Sequence, residues 1–241
     1  MEIEEKLKSG YKKIILCAPT GVGKSLVGAT VSRYFDSSFT ITASKHLQDQ
    51  YIKDIPFLKP VKGKQNFACL KMMESEKVDN TRKAMRWGLT CDKGQCQEKI
   101  NKNGKEIIEV CKFKPTIKQV EDNTQEAKSC HYYLQKYDAL VSKHSLWNYY
   151  AFFQIMKFNK KLFEDYLDRK VSIFDESHKI EDQIMQFIGF DIFSGQVEEC
   201  NLNTAKYDFT DLDSMIQLID DIAYSYAKKI KDIKESDSYQ K

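Results

Sequence analysis

The chain has 241 residues, and at roughly 150 residues per common domain that is room for one full core and an appendage. Hydrophobic residues make up 41% and charged residues 30%, which excludes a disordered polyelectrolyte and predicts a packed interior. Thirty-eight Lys and Arg against 35 Asp and Glu leave a net charge of +3, so a polyanionic partner is neither required nor excluded and any basic surface is local.

No apolar run approaches the roughly 18 residues of a membrane span, and Met1-Glu2-Ile3-Glu4-Glu5 is too acidic to open a secretory signal. The chain reads as cytoplasmic, or nuclear in a eukaryote, with no membrane partner. Residues 12–18 form a short apolar run that predicts a strand. Pro19-Thr20-Gly21-Val22-Gly23-Lys24-Ser25 follows, and then Leu26, Val27, Ala29 and Thr30 continue at helical spacing. Ala18 to Ser25 matches G-x-x-x-x-G-K-S/T with Ala18 in place of the first glycine. In a strand-loop-helix setting such glycines turn backbone N–H groups onto phosphate oxygens at a helix N-terminus. Lys24 then reaches the β- and γ-phosphates of ATP, and Ser25 supplies a hydroxyl for Mg2+.

Phe39 to Thr42 reads as a second strand and Ser44 to Lys53 as a helix closing near Pro56. This βαβα start predicts a P-loop α/β fold of the RecA-like kind, a parallel sheet with helices on both faces. From about Lys62 to Lys136 the apolar periodicity fades, while Cys69, Cys91, Cys96, Cys111 and Cys130 all fall in that stretch. Reducing conditions favour thiols over disulfides there, so a metal centre is the expected organiser of an insert with too little apolar material for its own core. The spacing is not that of paired zinc knuckles, but four widely spaced cysteines can hold an iron-sulfur cluster.

Patterning resumes with Tyr137 to Ser142 as a strand, Leu146 to Tyr166 as aromatic-rich helices, and Val171 to Phe174 as a buried strand running into Asp175-Glu176-Ser177-His178. A P-loop needs an acidic strand end: Asp175 is the expected magnesium-side carboxylate and Glu176 the base for water. Asp211 to about Ile233 reads as one long amphipathic helix.

Asp175-Glu176-Ser177-His178 resembles the D-E-A-H box of superfamily 2 helicases, with Ser in place of Ala, and His178 matches the histidine that couples the γ-phosphate site to a second motor domain. Gly63-Lys64-Gln65-Asn66-Phe67-Ala68-Cys69, Cys111-Lys112-Phe113 and Cys130-His131-Tyr132-Tyr133 resemble the cysteine segments of the XPD/DinG group of iron-sulfur helicases. The second ligand fits Cys96, after Gly94-Gln95, with Cys91 as the substitute. Thr42 to Gln50 is similar to that group's DNA-contacting motif Ia, which implies DNA contacts by Thr42, Lys45 and Gln48.

The resemblance covers about residues 11–182 and implies a 4Fe-4S cluster on Cys69, Cys96, Cys111 and Cys130. It implies 5′ to 3′ translocation on single-stranded DNA or a forked duplex, and a second motor domain as partner. The implied organisation is 1–61 as the first part of motor domain 1, 62–136 as the iron-sulfur insert, 137–190 as its continuation, and 191–241 as the start of a helical arch. No R-x-x-Q segment precedes the loop and no S-A-T motif follows, so the chain is expected to be an N-terminal portion with weak turnover alone. A P-loop ATPase that remodels protein, or a metal-stabilised nucleic-acid-binding module with a vestigial nucleotide site, are the competing expectations.

Overall fold

The computed structural model describes residues 2–19, 21–102, 105–189 and 192–238, with all their side chains except those of residues 2, 98–102, 105–107 and 236–238. The chain forms two compact units, Met1–Phe187 and Ile188–Lys241.

In chain order the first unit holds α1 (Glu2–Lys8), α2 (Lys24–Tyr34), β1 (Ser38–Thr42), α3 (Lys45–Asp54) and β2 (Lys59–Pro60). The cysteine-bearing stretch follows with α4 (Leu70–Ser75), α5 (Thr81–Arg86), the strands β3 (Gln97–Lys102) and β4 (Lys105–Val110), and α6 (Ile117–Glu121). Then come α7 (His131–Val141), β5 (His144–Asn148), α8 (Tyr149–Phe158), α9 (Glu164–Leu167), β6 (Val171–Phe174) and α10 (Ile180–Ile188). The second unit carries α11 (Ser194–Glu199) and α12 (Leu212–Ser238).

Four strands form one parallel sheet in the order β2-β5-β1-β6, and β3 and β4 pair separately as an antiparallel hairpin. Neighbouring residues on a strand point to opposite faces, and the two apolar clusters divide accordingly. Leu146 packs with Ala29 of α2, Tyr51 of α3 and Ile55 at the C-terminal cap of α3. Trp147, one residue on, packs with Phe39, Ile41, Leu140 of α7 and Phe152 of α8. Helices therefore cover both faces of a parallel sheet, as burial of both its faces requires. Where α2 crosses β6 the approach is close: a Cβ on Gly28 would meet Ile173 Cγ2 at 3.3 Å.

Four local expectations need correction. Residues 12–18 form no strand: residues 11–19 have no regular structure, and Ile15 is 89% exposed. A short apolar run becomes a strand only by pairing, and among the described residues β6 has β1 as its one neighbour, leaving its other edge without a ladder. Tyr137 to Ser142 is helix up to Val141, because Tyr133, Tyr137 and Leu140 share a face that buries against the sheet. The strand comes afterwards, at His144–Asn148, where a helix was expected from Leu146. Val171 to Phe174 is the expected strand, but at the sheet's edge it is half-exposed rather than buried.

The 62–136 stretch does build a small apolar cluster, Met73, Val78 and Ala84. Cys69, Cys91 and Cys130 belong instead to the main core with Tyr133 and Tyr137.

In the second unit, α12 replaces the helix expected at 211–233 and runs five residues further. It holds α11 through Tyr226 Oη, which donates to Glu199 Oε2 at 3.0 Å, and Lys229 Nζ, which donates to the Glu199 carbonyl at 2.7 Å. No helix among the described residues is long and apolar enough to cross a membrane.

Candidate nucleotide and metal sites

Gly21 and Gly23 both adopt φ of 84°, a left-handed conformation that side chains with a Cβ disfavour. Gly23 is the N-cap of α2 and offers no side-chain cap, so the first N–H groups of an 11-residue helix point out of the loop. Lys24 Nζ donates to the carbonyls of Ala18 and Pro19, each at 3.0 Å, which folds it back across the loop. Pro19 and Val22 are exposed and Ser25 half-buried, and Thr20 lies outside the described residues.

The acidic motif follows β6 directly. Asp175 N–H donates to Ile41 O at 2.8 Å, extending the β1–β6 ladder by one bond. Two phenols secure the aspartate: Tyr51 Oη donates to Asp175 Oδ2 and Tyr149 Oη to its carbonyl, both at 3.0 Å. Ser25 lies close enough to the Tyr51 phenol to influence it, so Tyr51 sits between the glycine loop and the acidic strand end. Burial pushes the Tyr51 phenol well above its ordinary value, with the Asp175 charge adding to the rise. Sequence reasoning missed Tyr51 and Tyr149, because neither carries a motif and their role arises from contacts between distant segments.

Glu176 has φ of 53°, a left-handed conformation uncommon outside glycine and asparagine. Its N–H donates to Asp175 Oδ1 at 3.0 Å. His178 Nδ1 lies 3.4 Å from Glu176 Oε2 on the exposed side of the turn.

Of the residues expected at DNA, Lys45 is exposed. Thr42 is fully buried and bonds Ser44. Gln48 is 1% exposed, with Nε2 donating to Val61 O at 2.8 Å and Leu146 O at 3.3 Å. As they lie, these two side chains tie α3 to the sheet and present nothing to a strand of nucleic acid. Among the basic residues nearer the cysteines, Lys62 pairs with Asp49 and Lys112 with Glu74, both at 2.7 Å.

Cys69, Cys91, Cys96, Cys111 and Cys130 converge on one small cavity of about 10 Å³, which Phe113 and Tyr133 also line. Backbone bonds bring them in. Cys69 N–H donates to Leu89 O and Cys91 N–H to Phe67 O, Cys111 N–H reaches Cys96 O, and Cys130 N–H reaches Phe113 O. Cys130 caps α7, and its thiol is lowered to about 6, first by its hydrogen bond with Cys91 and then by the N–H groups of Tyr133 and Tyr132. Cys91 moves up, through that bond to Cys130 and through burial. Burial also raises Cys111.

Thiolates suit soft metals and iron-sulfur clusters, and five cysteines line the one cavity; at Gly94 a Cβ would lie 2.5 Å from Cys69 Sγ, so the loop passes close to that sulfur. The donor set thus fits a cluster, although among the described residues no three or more His, Cys, Asp or Glu are arranged for a single metal ion. The remaining cysteines stand apart from this group, Cys17 exposed and Cys200 buried in the second unit.

No curated protein and no solved structure matches the chain. A family model described as DEAD_2 matches residues 53–197, more than half of the sequence. With that match and a four-stranded parallel sheet between helices, the chain belongs to the DEAD_2 family of helicase-type, nucleic-acid-dependent ATPases.

Proposed function

We propose that this chain is the nucleotide-binding motor portion of a DNA helicase of the XPD/DinG type, moving 5′ to 3′ on single-stranded DNA with a 4Fe-4S cluster in its 62–136 insert. The observation that carries the finer reading is the convergence of Cys69, Cys91, Cys96, Cys111 and Cys130 on one cavity, in a chain whose Tyr51 bonds Asp175. Three of these thiols also pack in the core, but five sulfurs lining one cavity form a donor set that suits an iron-sulfur cluster.

In this reading the N–H groups of Gly21 to Ser25 bind the ATP phosphates, and Lys24 leaves the Ala18 and Pro19 carbonyls to pair with the β- and γ-phosphates. Ser25 and Asp175 hold Mg2+. Glu176 orients a water and accepts its proton as the water oxygen bonds the γ-phosphorus and the bond to the ADP oxygen breaks. His178, paired with Glu176 and exposed, relays the state of that site to a second motor domain. Lys45 meets the phosphates of the single strand, and residues 191–241 begin a helical arch. Cys69, Cys111, Cys130 and a thiol of the 91–96 loop would hold the cluster, which would cross-link the insert's segments when bound.

ATP hydrolysis by the full-length protein, measured with and without single-stranded DNA for wild type and Lys24→Ala, tests the reading. DNA-stimulated turnover that falls at least about 100-fold in the variant is expected. Turnover indifferent to DNA would instead favour action on another substrate, and turnover indifferent to Lys24 would favour a binding module.

A further inference from the structure

The cavity has five thiols, one more than a four-cysteine cluster takes, and the surplus lies on a single loop. Cys91 and Cys96 flank a turn through Gly94. A methyl group at Gly94 would sit 2.5 Å from Cys69 Sγ and 3.7 Å from the Cys91 carbonyl, so the loop wraps Cys69 and offers a thiol on either side of it. The two are held by different partners. Cys91 N–H bonds Phe67 O at 2.9 Å, and its sulfur lies 3.9 Å from Cys130 Sγ. The Cys96 carbonyl accepts from Cys111 N–H at 3.1 Å. Cys91 is buried and Cys96 half-buried. Cys69, Cys111 and Cys130 come from three separate segments, and none of those segments brings a second thiol to the cavity.

We propose, resting on the iron-sulfur reading above, that Cys91 and Cys96 are interchangeable: either thiol completes the ligand set with Cys69, Cys111 and Cys130, and the other is a reserve. Three ligands are fixed by their segments, while the fourth position faces a short loop with glycine inside it. Exchange of one flanking thiol for the other is a local change of that loop, because glycine lowers the cost of altering its backbone. Neither anchor needs to break for the other thiol to approach, since each is bonded through a different backbone group.

Iron and acid-labile sulfide are measured on the full-length protein purified without oxygen, for wild type, Cys91→Ser, Cys96→Ser, the double variant and Cys130→Ser, with circular dichroism to establish folding. Wild type and both single variants are expected to hold about four irons and four sulfides per chain, and the double variant and Cys130→Ser less than about a tenth of that. Loss of iron in either folded single variant, or a full complement in the double variant, overturns the proposal. Where the double variant does not fold, the two single variants decide. Wild type without iron and sulfide overturns the cluster reading together with the proposal, whereas a loaded wild type with one empty single variant overturns the proposal alone.

Discussion

Glu176 holds a backbone conformation that costs a non-glycine residue on the order of 1 kcal/mol, with φ of 53° at the end of an edge strand. The turn sets its carboxylate beside His178 and its N–H on the Asp175 side chain. Asparagine tolerates this region better than glutamate, so Glu176→Asn is expected to unfold at the same or a slightly higher temperature. The proposed role of Glu176 as base predicts that the variant nonetheless hydrolyses ATP at least about 100-fold more slowly. Thermal melts and phosphate release on the same preparation check both halves, and a large fall in melting temperature would show that the carboxylate holds the turn together. At this scale the charged and sulfur-bearing members of the candidate site could be named from sequence, Lys24 and Asp175 from their motifs and the cysteines from clustering and resemblance. Tyr51 and Tyr149 were not. A tyrosine is ordinary core material until a fold puts its hydroxyl on a particular carboxylate. Gln48 differs in the other direction: the motif Ia resemblance implies a DNA contact, whereas here two buried carbonyls take its amide.

Helix α3 acts as a strut between the two nucleotide motifs. Ser44 caps it by accepting from Leu47 N–H, Gln48 pins it to β5 and the β2 exit, and Tyr51 reaches across to Asp175. Tyr51→Phe keeps the buried ring and removes only the phenol. Because the acceptor is a carboxylate, the loss is expected to be about 1.5 to 3 kcal/mol, read as a lower midpoint in urea with unchanged slope. An unchanged midpoint would mean that water satisfies Asp175 equally well. Elements with a local signature were readable in advance: β1, α3, β6 and α12 lie within a few residues of their expected places. Elements decided by partners were not. Residues 12–18 are as apolar as β6 but have no ladder beside them, and Tyr137 to Leu140, short enough to pass for a strand, takes the helical face that the sheet can bury.

Buried phenols give the first unit as a whole a defined alkaline limit. Burial pushes Tyr137 up to about 12, and Tyr132 likewise to about 12, while Tyr51, Tyr133 and Tyr149 rise further. A folded-state value above the unfolded one means that the fold retains the proton. The contribution is therefore complete below pH 10 and is lost as pH climbs from 10 through about 12. For Tyr137, 5% exposed, two pH units correspond to about 2.7 kcal/mol as an upper figure. Lys136, beside it on α7, has the opposite sign. Burial, with the charges of Lys64 and Lys114, pulls its amine down to about 8, so the neutral form is favoured in the fold and that contribution is complete only above the ordinary lysine range. It is lost as pH falls through 8, and it cannot supply the alkaline loss. Tyr137→Phe separates the two effects, since it keeps the ring against Phe163 and Tyr133 and removes one titrating hydroxyl. Urea midpoints at pH 8, 10 and 11.5 should show wild type losing stability steeply between the last two and the variant losing less. Parallel curves would place the alkaline limit in the other phenols and exonerate Tyr137.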